Sequence, residues 1–464
     1  MPIRPLLFVL ALAVPLLSAA RPVIVHADDL DSREAVGLLQ ELIRIPTVNP
    51  PGNESALTHL LADRFQAAGM AVELTGVTTD RQNLIVTVPG TRDTQPWLIL
   101  AHVDTVPADP SEWAVDPFAG KISDGVVWGR GALDNKGMTA ALTTALLRLQ
   151  RSGMLPEIPL TVIYTVDEET GSALGLHWLA EQRPELYEVR GVLNEGGFVI
   201  RDPEGPAQTT YYVSVGEKGI AWLRLRARGT TGHGSIRWGN NANDKLVMAL
   251  QKLATWEHEP MRNSPLAQYA MNDLGRRGEM ARSTTEAMRR HPLAKQIARD
   301  PALASSLRNT CNITVLEAGA RPNVIPGVSE ATVDCRIIPG ETPEGFVDKV
   351  RTLLADFDVE VELLTESMPN VSPWRTGFFA SIERIAKEAD PDSMVVPVLS
   401  PGATDSRFWR ERGVPSYGIV PIPISPEMVS GMHGPNERVP ASSVEEAADF
   451  LEQLLWNMGR FRTP

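Results

Sequence analysis

The chain has 464 residues, of which 43% are hydrophobic and 22% charged, and it carries a net charge of −13. That length exceeds what a single core usually supports, so two domains are expected. The acidic balance, with no basic run to offset it, argues against a nucleic-acid partner, while leaving room for a small anionic substrate that one arginine can hold.

The N-terminus differs from the rest. Arg4 precedes an apolar run at 6–17, broken by Pro15 and followed by small residues, with possible cleavage after Ala20 or Ala27. This is the build of a signal peptide, and the run falls short of the ~20 residues a membrane span needs. Residues 1–27 are set apart as a leader. An exported protein, periplasmic or secreted, with no membrane span in its mature chain is expected.

Residues 30–45 and 55–68 have amphipathic helical patterns, separated by the loop Asn49-Pro-Pro-Gly52. Short β-type runs follow at 71–74 and 83–88, then a continuous apolar strand at 97–101. A helix rich in Ala and Leu is expected over 136–149, a strand over 160–166, a helix over 173–181 and a short strand over 191–193. Strands alternating with helices predict an α/β fold with a mixed, largely parallel sheet flanked by helices. From about residue 215 the character changes: an alternating strand at 220–227, a helix at 243–256, a polar helix-prone stretch at 260–306, two strands, a helix at 343–357 and a strand at 359–364. This reads as an inserted α+β unit over 215–367. Residues 28–214 and 368–464 then form one discontinuous domain around it.

The two cysteines, Cys311 and Cys335, lie in the two strand-like runs of that unit. They lack metal-type spacing. Paired neighbouring strands would let them form a disulfide in an exported protein; two small core residues are the equal alternative.

Polar residues gather where strands end. His102-Val-Asp104 follows the strand at 97–101, Asp167-Glu168-Glu169 the one at 160–166, and Asn194-Glu195 the one at 191–193, while Asp134 opens the helix near Lys136. Open α/β sheets bind ligands beyond the carboxyl ends of their strands, so these segments can converge. Imidazole and carboxylate donors suit a divalent ion such as zinc, with cobalt or manganese as substitutes. Two ions need a shared ligand, which a carboxylate supplies with its two oxygens. The adjacent pair Glu168-Glu169 can divide its work, one binding metal and the other taking a proton from water. Asp104 can hold the second ring nitrogen of His102. His59, His177, His258 and His291 have no partner motif and read as surface residues.

The motifs His102-Val-Asp104-Thr-Val-Pro107, Gly129-Arg-Gly-Ala-Leu-Asp134-Asn-Lys-Gly137 and Asp167-Glu-Glu-Thr-Gly171 resemble the signatures of the M20 metallopeptidases. Asn194-Glu-Gly-Gly197, Thr231-Gly-His-Gly-Ser235 and Met432-His-Gly434 continue the likeness in order across the mature chain. The runs Glu195-Gly-Gly-Phe-Val-Ile200, Val215-Gly-Glu-Lys-Gly219 and Gly402-Ala-Thr-Asp-Ser-Arg407, with 421–426, resemble the carboxypeptidase S and secreted N-acyl-amino-acid hydrolase branch. The resemblance implies two metal ions, zinc foremost. Asp134 would bridge them, His102 and Glu195 would complete one site, and Glu169 with His433 the other. It further implies Glu168 as general base, Asp104 as the partner of His102, His233 and Asn323 as oxyanion donors, and Arg336 with the backbone at Gly402 as holders of a substrate carboxylate. The inserted unit would be a lid and dimerisation domain, with a homodimer through it and His233 acting across the interface. Asn135 departs from the pattern, since many relatives carry a second Asp there.

The reaction so implied is hydrolysis of an amide bond in a small peptide or N-acyl-amino acid, of carboxypeptidase or aminoacylase type, with dipeptidase action as the alternative. A metal-containing binding protein without turnover is the reading from another class; the lost base or ligand that would mark it is not found.

Overall fold

The computed structural model describes residues 33–202, 208–258, 260–261 and 264–460. The expected leader, residues 1–27, lies outside them.

Continuous apolar runs build the middle of a nine-stranded sheet. Its order is Ala71–Thr78, Arg81–Val88, Leu160–Thr165, Trp97–His102, Val192–Ile200, Ser416–Ile424 and Thr210–Glu217, with Met394–Ser400 and Asn370–Val371 both paired to Thr210–Glu217. The central pairings of Trp97–His102 with its two neighbours, and of Val192–Ile200 with Ser416–Ile424, are parallel, whereas the Ala71–Thr78 edge is antiparallel. The fold is thus mixed α/β with a largely parallel sheet. Every residue of Trp97–His102 is buried, as befits a strand covered on both faces. Successive residues feed opposite cores: Leu98 and Leu100 meet Leu176, Leu179 and Trp409, while Ile99 and Ala101 join Leu142, Leu146 and Leu451. The helices Glu34–Ile43, Lys136–Ser152 and Ala441–Asn457 pack together on that second face. At their junction the buried Lys136 donates its Nζ to the carbonyls of Leu42 (3.1 Å) and Ile45 (2.8 Å), satisfying the end of the first helix.

A second sheet, wholly antiparallel, runs in the order Thr310–Glu317, Val328–Ile337, Gly219–Arg228 and Val359–Ser367. Burial alternates along Val328–Ile337 because one face is covered by the helices Ala242–Ala254 and Pro343–Leu353, through Leu246, Leu250, Phe346 and Val350. Cys311 stands directly opposite Cys335, and the two are joined as a disulfide.

The helices between 265 and 306 depart from expectation. They pack on the large sheet, where Leu266, Tyr269, Leu293 and Leu303 meet Tyr212 of one strand and Val396 and Val398 of another. Their amphipathic apolar face is matched to that sheet, a partnership that polar composition could not reveal. His291, read as a surface residue, is buried there with Nε2 3.0 Å from Asp273 Oδ2. Lys218, at the junction of the two sheets, is also buried and donates Nζ to the carbonyl of Ser305 (3.0 Å) and to Thr310 Oγ1 (2.8 Å). Burial pushes its pKa down to about 7.

The disulfide spans 24 residues, and loop-closure entropy assigns such a crosslink about 3 kcal/mol. Replacing both cysteines with serine should lower the urea midpoint of unfolding correspondingly. An unchanged midpoint would show that the crosslink adds nothing to stability.

Candidate metal centre

Neighbouring strands deliver the first groups. His102 ends one central strand and is in register with Thr165 of the next, whose continuation is the turn Asp167-Glu168-Glu169. That turn is sharp: Asp167, Gly171 and Ser172 all have positive φ, at 67°, 99° and 64°. It is pinned from within, since the Asp167 carboxylate accepts from Thr170 Oγ1 (2.6 Å) and from the amide of Leu174 (2.7 Å). From outside, the buried Ser172 hydroxyl donates to the Asp405 carboxylate.

Asp104 does more than expected and does it differently. Its carboxylate accepts the amides of Glu168 (3.2 Å) and Glu169 (3.1 Å) and the side-chain amide of Asn49 (2.8 Å). His102 Nδ1 instead lies 3.2 Å from the main-chain carbonyl of Asp104, with the carboxylate at 3.5 Å. Donation from Nδ1 to that carbonyl would leave the inward-facing Nε2 to an ion.

Glu195 was expected beyond a short strand, yet that strand runs on through Val192–Ile200. Its pairing with Ser416–Ile424 shifts register around Glu195, between Asn194↔Gly418 and Phe198↔Val420. Gly196 takes φ 107° there, and a Cβ on Gly418 would collide with the Glu195 carbonyl. The bulge turns the carboxylate toward the strand ends, where Asn135 Nδ2 donates to it at 3.2 Å. Asn135, the departure noted above, therefore supplies a donor that a carboxylate could not.

Asp134 is the meeting point. Its Oδ1 lies 2.9 Å from His102 Nε2, and its Oδ2 lies 3.1 Å from His433 Nε2. Glu169 Oε2 is 3.1 Å from the same His433 nitrogen, and Glu195 Oε2 is 3.5 Å from His102 Nε2. Two triads result, His102–Asp134–Glu195 and Asp134–Glu169–His433, each with donor atoms within 4.8 Å of one another. Glu169 Oε1 is buried without a hydrogen-bond partner, an atom that an ion would satisfy. Glu168 belongs to neither triad.

The charges tell the same story. Burial, then Glu195, Asp405 and Glu169, push the Glu168 carboxyl well up, against the pull of His102. Burial drives Glu195 up to about 7 despite His102. His433 is raised to about 10 by its hydrogen bonds to Asp134 and Glu169. Burial opposes charge on His102, but Glu195 and bonds to Asp104 and Asp134 still hold it well above its usual value. Crowded buried carboxylates demand positive charge, and two divalent ions in the two triads meet that demand. The donor set fits the group.

His233, Asn323 and Arg336 lie on the inserted unit, and their bonds stay within it. His233 Nδ1 is 2.8 Å from Ser235 Oγ, the Asn323 carbonyl accepts from Gly234, and Arg336 forks onto Asp334 at 2.7 and 3.1 Å. Gly402 is exposed in the loop beside Asp405. The structure therefore gathers the five expected ligands, Glu168 and Asp104, but not the four residues that were expected to face substrate. Asn49 and Asp405 carry no sequence signal of their part in the site: Asn49 opens a Pro-Pro-Gly loop, which reads as a turn, and Asp405 lies in the run 402–407, where no spacing marks it.

Residues 98–457 match the model of a family described as peptidase family M20/M25/M40. The N-fatty-acyl-amino acid synthase/hydrolase of Mus musculus is 29% identical over 455 residues, covering 92% of this chain and 88% of its own length. Aminoacylase-1 of Pongo abelii is 25% identical, with coverages of 92% and 95%. Among solved structures, an M20 family metallo-carboxypeptidase from Sulfolobus solfataricus superposes with a TM-score of 0.69 at 20% identity, covering 91% of this chain and 98% of that one. A Bacillus subtilis protein titled a dinuclear metal binding peptidase from M20 family gives 0.57 at 15%, with coverages of 93% and 99%.

Stripping metal with a chelator should destabilise the protein, because the carboxylates then repel without compensation. Zinc added back at 100 times its dissociation constant should restore about 2.7 kcal/mol. A melting temperature indifferent to both treatments would rule out structural metal at this site.

Proposed function

This chain belongs to peptidase family M20/M25/M40, and from that membership and the site geometry we propose a two-metal amide hydrolase acting on N-acyl-amino acids or short peptides with a free C-terminal carboxylate. The observation that carries the reading is the pair of triads sharing Asp134, with one partly buried carboxylate, Glu168, left over beside them. Divalent ions held there, zinc by the character of the donors, would supply Lewis acidity and make a water acidic enough to lose its proton near neutrality.

Glu168 receives that proton and returns it to the leaving amine. A carboxyl whose pKa is raised by burial and neighbouring carboxylates can hold a proton between the two steps. Asp104 fixes the backbone of the turn that aims Glu168. His233 and Asn323 supply donors to the developing oxyanion. Arg336, whose Nε and Nη2 rest on Asp334, would turn its guanidinium to the substrate carboxylate, assisted by the backbone at Gly402. The inserted unit must swing, or a second copy must lend its own, for these groups to meet the metals. Ile313, Val315 and Leu316 on the edge strand, with Val247 and Met248 on the helix nearby, are exposed and apolar, which supports a homodimer through that unit. The likeness to the N-fatty-acyl-amino acid synthase/hydrolase favours an acyl group over a peptide on the scissile side. Export by a leader at 1–27 completes the proposal.

Glu168→Ala should retain its metal while losing about 10²–10⁴-fold in turnover, the scale of a general base; turnover near wild type would remove Glu168 from the chemistry. Arg336→Ala should raise KM for substrates with a free carboxylate and leave their amidated analogues little changed. Equal effects on both would take Arg336 out of substrate binding.

A further inference from the structure

Glu437 follows His433 by four residues and is fully buried, yet it belongs to neither triad. Its carboxylate is saturated. Oε1 accepts the amides of Leu133 (2.7 Å) and Asp134 (2.9 Å), and Oε2 accepts the amide of Gly131 (2.8 Å) and Nη1 of Arg130 (2.8 Å). Three of these donors are main-chain amides of the loop that presents Asp134. The loop is tied to the His433 segment a second time. Arg130, itself buried, donates Nη2 to the carbonyl of Gly434 (3.0 Å), and the amide of Gly129 donates to the main-chain carbonyl of Glu437 (3.0 Å).

Asp134 and His433 come from the two separate pieces of the catalytic domain, so their spacing is not set by any short stretch of chain. Sharing a bridging carboxylate between two ions tolerates an error of only about half an ångström. A charged acceptor whose two oxygens each engage two donors is a stiff joint, and this one stands where the two pieces meet behind the site. We propose that Glu437 is a positioning residue for the shared ligand: its carboxylate moulds the 131–134 backbone and sets the distance from Asp134 to His433. The inference rests on the two-metal reading above.

The test uses Co2+ as the probe, because its visible absorption reports ligand geometry and requires no substrate. Glu437→Gln keeps the size of the side chain but sets an NH2 group against amide donors. The metal-free variant should be folded by circular dichroism, bind Co2+ about 10–100-fold more weakly than wild type, the usual loss for a group that orients a ligand, and show an altered spectrum. Wild-type affinity and spectrum in a folded variant would overturn the proposal, leaving Glu437 as a staple of the fold. Should Glu437→Gln fail to fold, Glu437→Asp, which keeps the charge but withdraws it, is read the same way. If neither folds, the carboxylate is a folding determinant and the proposal falls. Wild-type protein that binds no Co2+ would remove the two-metal reading itself, a result separable from failure of the variant alone.

Discussion

Asp134, Glu168, Glu169 and Glu195 approach one another at the buried end of a parallel sheet, with the imidazoles of His102 and His433 set among them. A protein interior charges heavily for such an arrangement. The surroundings are organised to keep it from relaxing. Lys136, whose charge could have answered the carboxylates, is spent instead on the carbonyls that end the first helix. The Asp405 carboxylate, a further negative group, faces Ser172. With Lys136 engaged elsewhere, the carboxylates stay crowded about the two imidazoles, and divalent ions in the two triads would answer them.

Holding that tension takes rigid parts. Three of the four carboxylates hang on backbone that another carboxylate grips: Asp104 and Asp167 grip the turn of Glu168 and Glu169, and Glu437 grips the loop of Asp134. Backbone amides are the donors in nearly every case, so the ligand geometry is written into main-chain conformation. A side-chain rotamer change alone cannot undo it.

Much of this was legible beforehand. The strand-end positions of His102 and Glu168-Glu169 follow from apolar runs that stop abruptly, and the alternation of strand and helix announced the sheet. Glu195 was located for an incomplete reason. Its strand does not end at residue 193, and what turns the carboxylate is a bulge made possible by Gly196 and Gly418, long-range pairing that local pattern does not encode. The role of Asp104 was half seen, because spacing of two suggests a partner for His102 but says nothing of a neighbouring strand's turn. The helices of 265–306 looked like part of the inserted unit because they lie between its segments. Their apolar faces answer to one strand before them in the chain, at 210–217, and one well after them, at 394–400, and only packing reveals that.

Those helices carry a mechanical consequence. A simple insertion is joined to its host by two covalent links and can twist about both. Here the chain crosses between the two sheets at Lys218, again between Ala254 and Ser264, again between Leu307 and Thr310, and finally between Ser367 and Asn370. The Lys218 ammonium, at the first crossing, bonds to Ser305 and Thr310 on either side of the third, so two of the four links are tied together. A unit held by four crossings, two of them fastened to each other, has less freedom to twist than one held by two.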